Sequence, residues 1–193
     1  MMKSLALGGL LGGLVLFVWG AISWMALPWH TMTFEKFKDE SSVAQAISAN
    51  AGNSGIYLLP NPHKQDSSLS EAQRKAAEED GMKRMMEGPF MFASVSPRGS
   101  GSMGTMMGIG LATQILAALM ATWLLLQTAG LTCWGRVGFL VTLGLTAGVI
   151  TNLQHWNWWN FSTAYTAVCF GDLLIGWFLA GLVIAKVTAP ASS

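Results

Sequence analysis

One carboxylate stands alone in the most apolar part of the chain. Asp172 lies about halfway along residues 164–185, which contain no other charged residue. An ionisable group inside a membrane span is costly and often marks a proton or ion path, although it also serves to hold helices together through hydrogen bonds. Asp172 and Gln114 lie about nine and eleven residues below the outer ends of their spans, which is roughly 13–17 Å at 1.5 Å per residue. We therefore predict a polar layer of Asp172, Gln114, Thr142 and Thr146, and favour helix packing over transport because no second charge lies in the spans.

Thioether sulfurs form a second candidate for chemistry. Six methionines lie in two short groups: Met82, Met85, Met86, Met103, Met106 and Met107. Soft thioether ligands suit Cu(I), but methionine also fills irregular apolar interfaces. Since a sustained Met-x-x-Met array is missing, we favour packing, and we predict no metal and no cofactor.

Histidine and tryptophan recur together near the ends of two predicted spans. The residues concerned are Trp24, Trp29, His30, His155, Trp156, Trp158 and Trp159. Amphipathic rings of this kind are typical of the boundary between membrane and water. Ligation of haem or a metal by His30 and His155 is the alternative, and we favour the interpretation as interface anchors.

Catalytic signatures are missing from the sequence. It contains neither a Gly-x-Ser-x-Gly elbow nor a His-Glu-x-x-His motif. Cys133 and Cys169 lie beside or inside hydrophobic stretches and form no Cys-x-x-Cys pair. We therefore predict that the chain is not an enzyme.

The elements that must position these residues are membrane helices. Hydrophobic residues make up 52% and charged residues 11% of the chain, whereas charged residues form about a quarter of a typical soluble protein. Four stretches are long enough to cross a bilayer, namely residues 5–27, 103–127, 137–153 and 164–185. A cleaved signal peptide is the alternative for the first, but Trp19 and Trp24 occupy the region where small residues should precede a cleavage site. Close helix contacts are predicted at Gly8, Gly12, Gly144, Gly148, Gly171 and Gly176.

The polar segment between the first two spans predicts a small α+β domain. Residues 41–50 read as a short amphipathic helix, and residues 54–59 and 89–95 as strands. A capping box at Ser68-x-x-Glu71 predicts a second helix, interrupted near Gly81. Strand alternation implies that one face of the sheet is buried, and we expect a helix carrying Val43 and Ile47 to cover it.

Basic residues outside this segment set the expected topology. Lys3, Arg136 and Lys186 fall on one side of four spans, which predicts that this side is cytoplasmic. We therefore expect residues 1–29 to form a span with a cytoplasmic N-terminus, residues 30–102 an extracytoplasmic domain, and residues 103–193 three spans with a cytoplasmic C-terminus. The predicted fold class is a membrane all-α protein, a four-transmembrane-helix bundle with a small α+β domain inserted between helices 1 and 2, in a bacterial inner membrane.

Function is predicted indirectly from this organisation. A small domain without disulfides, glycine-lined helices and no catalytic set favour a non-enzymatic accessory or assembly subunit of a larger membrane complex. The expected partners are membrane lipid and other membrane-protein subunits or a second copy, and the formal net charge of +1 gives no basis for nucleic-acid binding. The alternatives are a small oligomeric transporter or proton-coupled channel using Asp172 and, less favoured, a copper-handling protein using the methionines.

Overall fold

Four long helices and a small two-stranded sheet make up the fold. The computed structural model describes residues 1–63 and 68–189. Its elements are α1 (Met2–Met25), α2 (Glu40–Asn50), β1 (Gly55–Leu59), α3 (Glu71–Glu87), β2 (Met91–Val95), α4 (Met103–Leu126), α5 (Cys133–Trp159) and α6 (Thr163–Val187), with a 3-10 turn at Thr31–Thr33. Helices α1, α4, α5 and α6 are long and apolar enough to cross a membrane, with mean hydropathies of 1.5–2.2. The prediction of four helices long and apolar enough to span a membrane is confirmed. The chain after residue 189, predicted to be cytoplasmic, lies outside the described residues.

The chain divides into two compact units. One comprises Met1–Glu35 together with Ser102–Ser193 and is called the helical unit below. The other, Lys36–Gly101, is called the inserted unit. His30, which the sequence assigned to the start of the polar segment, belongs to the helical unit.

Glycine brings α1 and α4 into close contact. A Cβ atom added at Gly9 would lie 2.3 Å from the Leu119 side chain, and one at Gly13 would lie 2.4 Å from Ile115 Cα. The predicted packing positions Gly8 and Gly12 also have no room for a larger residue, because a Cβ there would lie 2.6 Å from Thr122 and Ile184 respectively. The glycine surface of α1 is therefore occupied by helices of the same chain.

Helix α6 lies between α1 and α5 and packs against both. A Cβ at Gly144 would lie 2.1 Å from Trp177, and one at Gly148 would lie 2.5 Å from Leu173. On the other side of α6, a Cβ at Gly176 would lie 3.0 Å from Trp19, and one at Gly171 would lie at an ordinary 3.4 Å from Trp29. Small residues thus let large side chains of the neighbouring helix fit against the backbone.

The two ends of the helical unit differ in character. At the end where α4 ends and α5 begins, the core contains fully buried apolar side chains from three helices, including Leu125, Leu140 and Ile184. Arg136 joins α5 to the end of α6 there, with its Nη1 donating to the Thr188 carbonyl (2.6 Å) and hydroxyl (3.1 Å). We call this the Arg136 end, and the opposite one, where α1 and α5 end and α6 begins, the His30 end.

Helix α5 extends further than the sequence predicted. Trp156, Trp158 and Trp159 were expected in a loop, but the helix continues to Trp159 and ends at Asn160, which adopts the left-handed conformation with φ 55°. A short polar side chain tolerates this conformation better than most. The connection to α6 therefore consists of residues 160–162 alone.

The inserted unit contains the expected two strands, which pair antiparallel with Leu58 opposite Phe92. The expectation of one buried sheet face is wrong: Ile56 is 63% and Leu59 51% exposed, and Tyr57 and Leu58 are both half-buried. Within its described length, helix α2 has no buried residue, and Val43 and Ile47, which were expected to cover the sheet, are only half-buried.

Helix α3 has the predicted type of cap at a different position. Ser70, rather than Ser68, accepts a hydrogen bond from the Gln73 amide, and the Gln73 side chain accepts from the Ser70 amide at 3.0 Å. The helix also continues through Gly81, where an interruption was expected. A Cβ at Gly81 would lie 2.8 Å from Pro62 Cβ, so this glycine permits a close contact instead of ending the helix.

Candidate functional site

His30 is buried at the end of α1 because the chain reverses direction there. Helix α1 ends at Met25, Pro28 follows, and a 3-10 turn at Thr31–Thr33 directs the chain away again. The His30 carbonyl accepts hydrogen bonds from the Thr33 amide (3.0 Å) and hydroxyl (2.7 Å). This turn leaves His30 only 1% exposed, which is unusual for an ionisable side chain without a partner.

Asp172 of α6 is that partner. His30 Nε2 lies 2.7 Å from Asp172 Oδ2, and the Ser23 hydroxyl donates to Asp172 Oδ1 at 2.5 Å. Ser23 Oγ also lies 3.1 Å from His30 Nε2, and Ser23 is fully buried. Asp172 is half-buried, and both of its carboxylate oxygens are bonded, which offsets the cost of removing them from water. Ser23, His30 and Asp172 are called the His–Asp site.

Two tryptophans enclose the His–Asp site. Trp29 Nε1 donates a hydrogen bond to Ser23 Oγ at 2.9 Å. The Trp24 ring stacks on the imidazole with centroids 3.8 Å apart and planes 13° apart. An aromatic face suits either a neutral or a positively charged imidazole. The two side chains predicted to anchor the protein at the membrane surface thus also hold His30 in place.

The hydrogen-bond partners of Asp172 differ from those that the sequence predicted. Gln114 and the threonines of the third span were predicted, but the hydrogen bonds of Asp172 run to Ser23 and His30, while Thr146 donates to the Thr142 carbonyl in its own helix at 2.8 Å. The predicted depth of each residue was counted from the outer end of its span, on the assumption that all the spans begin and end at the same level in the membrane. Asp172 is nine residues into α6, yet it meets Ser23, two residues from the end of α1. Helix α6 therefore extends roughly 10 Å beyond α1, and Asp172 is level with the last turn of α1.

Serine, histidine and aspartate together suggest a hydrolase triad, and the geometry excludes one in this arrangement. In a triad the serine and the acid occupy different imidazole nitrogens. Here both face Nε2, and among the described residues Nδ1 has no hydrogen-bond partner. Ser23 donates its proton to the acid and is fully buried, so it is not placed to attack a substrate.

The remaining predicted anchors lie at the His30 end. Trp156 Nε1 donates to the Thr163 hydroxyl (3.1 Å), and Trp158 Nε1 to Gln154 Oε1 (2.8 Å). His155 stacks on Phe161 at a centroid distance of 5.1 Å. His30, by contrast, is buried in the His–Asp site, and the prediction that it faces the membrane surface is wrong for this residue.

The candidate metal ligands of the sequence belong to two different units of the chain. Across residues 1–63 and 68–189, no cluster of three or more His, Cys, Asp or Glu side chains could hold a metal ion. Met82, Met85 and Met86 belong to the inserted unit, and Met103, Met106 and Met107 to the helical unit. Met86 is 83% and Met103 68% exposed.

Comparison of the chain with protein-family models, with curated proteins and with solved structures gave no match. Functional inference therefore depends on the geometry of the chain itself.

Ser23 is the site residue that the sequence did not indicate. A single serine in an apolar span is common, since its hydroxyl can bond to its own helix. One signal was present: Ser23 and His30 flank a helix end marked by Pro28, so both can face the same neighbouring helix. That signal identifies a pair only when the partner helix is known.

Proposed function

We propose that this chain is a non-enzymatic membrane protein that acts as an accessory subunit of a larger membrane complex, which it binds through the inserted unit. The observation that carries the proposal is the small apolar core of that unit. Among its described residues, the buried ones are Ala51, Pro60, Pro62 and Gly81, none larger than proline. A domain of about 60 residues buries only about 60% of the surface that its unfolded chain exposes, so it is marginally stable even with an ordinary core.

Large apolar side chains of the inserted unit are instead exposed. Phe37 is 59%, Ile56 63%, Leu59 51% and Met86 83% exposed. Burying apolar surface contributes about 25 cal/mol per Å² to stability. The inserted unit gains this contribution from the exposed side chains only when a partner covers them. A partner protein would supply the missing layer over the sheet.

Two properties of the helical unit support the same proposal. The α1 glycines at positions 8, 9, 12 and 13 contact other helices of the same chain, and Ser23, His30 and Asp172 bond to one another. The helical unit therefore has the properties of a stable anchor, and binding to other subunits is left to the inserted unit.

A proton-coupled transporter is the second candidate, and the His–Asp site favours it. The sequence argued against transport because Asp172 lacked a second charge, and His30 now supplies an ionisable neighbour at 2.7 Å. A relay must continue across the membrane. Toward the Arg136 end, however, the described core contains the apolar side chains of Leu125, Leu140 and Ile184, so the accessory role is preferred.

Native mass spectrometry of the protein purified in a mild detergent tests the proposal. We expect a defined complex with at least one foreign subunit. Ile56→Glu should reduce the fraction of chain in that complex, whereas Asn53→Glu, a charge-matched change two residues before β1, should leave it unchanged. A homo-oligomer or monomer without any foreign subunit would contradict the proposal.

Proton flux in proteoliposomes tests the second candidate. Asp172→Asn keeps the size of the side chain and its ability to accept a hydrogen bond. If the wild-type protein conducts protons and this variant assembles but does not, transport replaces the accessory role.

A further inference from the structure

A pocket of about 460 Å³ opens at the His30 end of the helical unit. One wall comes from the 3-10 turn after α1 and the residues that follow it, and the other from the α5–α6 connection and the first turn of α6. Its lining consists of Thr33, Phe34, Glu35, Phe161, Ser162 and Tyr165. We call it the aromatic pocket. None of its lining residues belongs to the His–Asp site.

Three aromatic rings form the apolar part of the pocket. The Tyr165 ring centroid lies 6.3 Å from that of Phe34 and 5.7 Å from that of Phe161. The planes are tilted by 35° and 49°, so the rings face different directions instead of stacking into one block. The rings are in contact with one another, so a bound cation would lie beside them, within the roughly 6 Å of a ring centroid over which the attraction acts.

Further aromatic residues support these rings. His155 stacks on Phe161 at 5.1 Å, and the Trp24 centroid lies 6.4 Å from that of Phe34. Ser162, another lining residue, caps α6 by accepting a hydrogen bond from the Tyr165 amide at 3.1 Å. The pocket is therefore built on ordered elements, which lowers the cost of immobilising it around a ligand.

The pocket contains one formal charge, the carboxylate of Glu35. No ion pair of Glu35 occurs within the part of the chain that the structure describes, whereas Asp80 and Asp172 are each paired. Lys36, the next charged residue along the chain, belongs to the inserted unit. Three aromatic rings and a carboxylate in one lining favour a cation that carries apolar substituents, and they disfavour anions.

We infer that the aromatic pocket binds an alkylammonium group, either from a free small amine or from the headgroup of a lipid. Aromatic faces attract the diffuse charge of such a group, and Glu35 adds direct Coulomb attraction. A hydrated metal ion suits the pocket less well because it needs several oxygen ligands. This binding does not depend on the proposed role of the inserted unit.

Calorimetry with the detergent-purified full chain tests the inference. The probes are choline chloride and 3,3-dimethylbutan-1-ol, which has the same shape without the charge. We expect choline to bind about tenfold more tightly, since a cation–π contact with a charge neighbour is worth about 1–2 kcal/mol. Equal binding of the two probes would overturn the inference.

Four variants separate the effects of the charge and of the aromatic ring on choline binding from effects on general stability. Glu35→Gln and Tyr165→Leu should each weaken choline binding by about tenfold. Tyr165→Phe keeps the ring, and Glu78→Gln removes an exposed carboxylate of α3, so both should bind as the wild type does. Unchanged binding in Glu35→Gln, which alters an exposed side chain, would also overturn the inference.

Nanodiscs distinguish the two sources of the cation. Protein released from discs of phosphatidylcholine or phosphatidylethanolamine should retain lipid in native mass spectra if the ligand is a headgroup, and Glu35→Gln should lose it. Discs of phosphatidylglycerol serve as the control. Choline binding in detergent without retained lipid supports a free amine, and failure of both measurements overturns the inference.

Discussion

His30 Nε2 and Asp172 Oδ2 lie 2.7 Å apart across 142 positions of sequence and link the turn after the first helix to the last helix. The link is charge-assisted when the pair is ionised, and Ser23 completes it. The bond joins parts of the chain that are far apart in sequence, so it is a direct probe of how the bundle is held together.

A double-mutant cycle measures the strength of this link. His30→Phe and Asp172→Leu should each reduce the free energy of unfolding by about 1–3 kcal/mol, because the first removes one of the two partners of a half-buried carboxylate and the second removes the carboxylate that bonds to buried His30. The double variant should lose less than the sum, with a coupling energy of about 1–2 kcal/mol. Unfolding in mixed detergent micelles gives the values, and strict additivity would show that the two side chains do not interact.

Two glycines of α5 form a matched pair for testing helix contact. A Cβ at Gly144 would lie 2.1 Å from Trp177, whereas among the described residues nothing lies within 4 Å of a Cβ at Gly138. Gly144→Ala should therefore lower stability by about 1–3 kcal/mol through overpacking. Gly138→Ala should be neutral or stabilise by up to about 1 kcal/mol. Thermal unfolding in detergent compares them, and equal shifts would contradict the close approach of α5 and α6.

The capping box of α3 allows a test within the inserted unit. Ser70→Ala should destabilise the first turn of α3 by about 1 kcal/mol, while Ser70→Asp should retain the cap. Hydrogen exchange of the α3 amides reports the difference. If the alanine variant keeps full protection in that turn, the box does not stabilise the helix.

Asp39 should show an acid-dependent effect at the start of α2. Hydrogen bonds from the Ser41 and Ser42 hydroxyls hold the pKa of its carboxyl well below its usual range. Since the folded pKa is depressed, the cap stabilises α2 fully above the unfolded pKa and is lost as pH falls through the folded value. Carboxyl chemical shifts should show this titration, and Ser42→Ala should move it toward ordinary aspartate. A titration that is normal in the wild type would contradict the cap.

The proposed membrane topology is open to cysteine labelling. In a background of Cys133→Ser and Cys169→Ala, Ser100→Cys should react with an impermeant maleimide on spheroplasts, because we place the inserted unit outside. Ala129→Cys, exposed in the α4–α5 connection, should react only after lysis. Reversal of this pattern would place the inserted unit in the cytoplasm.

Sequence alone predicted the spans well because hydropathy and length are local properties. It selected Asp172 for the same reason, since a single acid in an apolar run is visible without any neighbour. The partners of Asp172 depend on how far α6 extends beyond α1, which no local pattern encodes. His30 was predicted to be an interface anchor because it lies next to a tryptophan at the end of a span. The turn that buries it depends on both Pro28 and the packing of α6, and the packing of α6 is not visible in a local pattern.

In the inserted unit, the sequence predicted the strands correctly but not their burial. Alternation in β1 and β2 correctly indicated strands, but burial of a strand face requires a covering element. The apolar residues of α2 suggested that cover, and the described structure leaves the helix exposed. We propose that the sheet is covered by another protein. The sequence of this chain alone cannot identify that protein.

The packing order of the helices has a consequence for biosynthesis. Helix α1 is made first, yet the helices that fill its glycine surface, α4 and α6, are separated from it by the whole inserted unit and, for α6, by two further helices. On the ribosome, Gly9 and Gly13 of α1 must therefore stay uncovered in the lipid until α4 emerges, and Ser23 must stay without its Asp172 partner until the last helix, α6, emerges. This interval is when a membrane chaperone or insertase would have most to protect, and when truncation of the nascent chain before Asp172 would leave the first helix without its final partner.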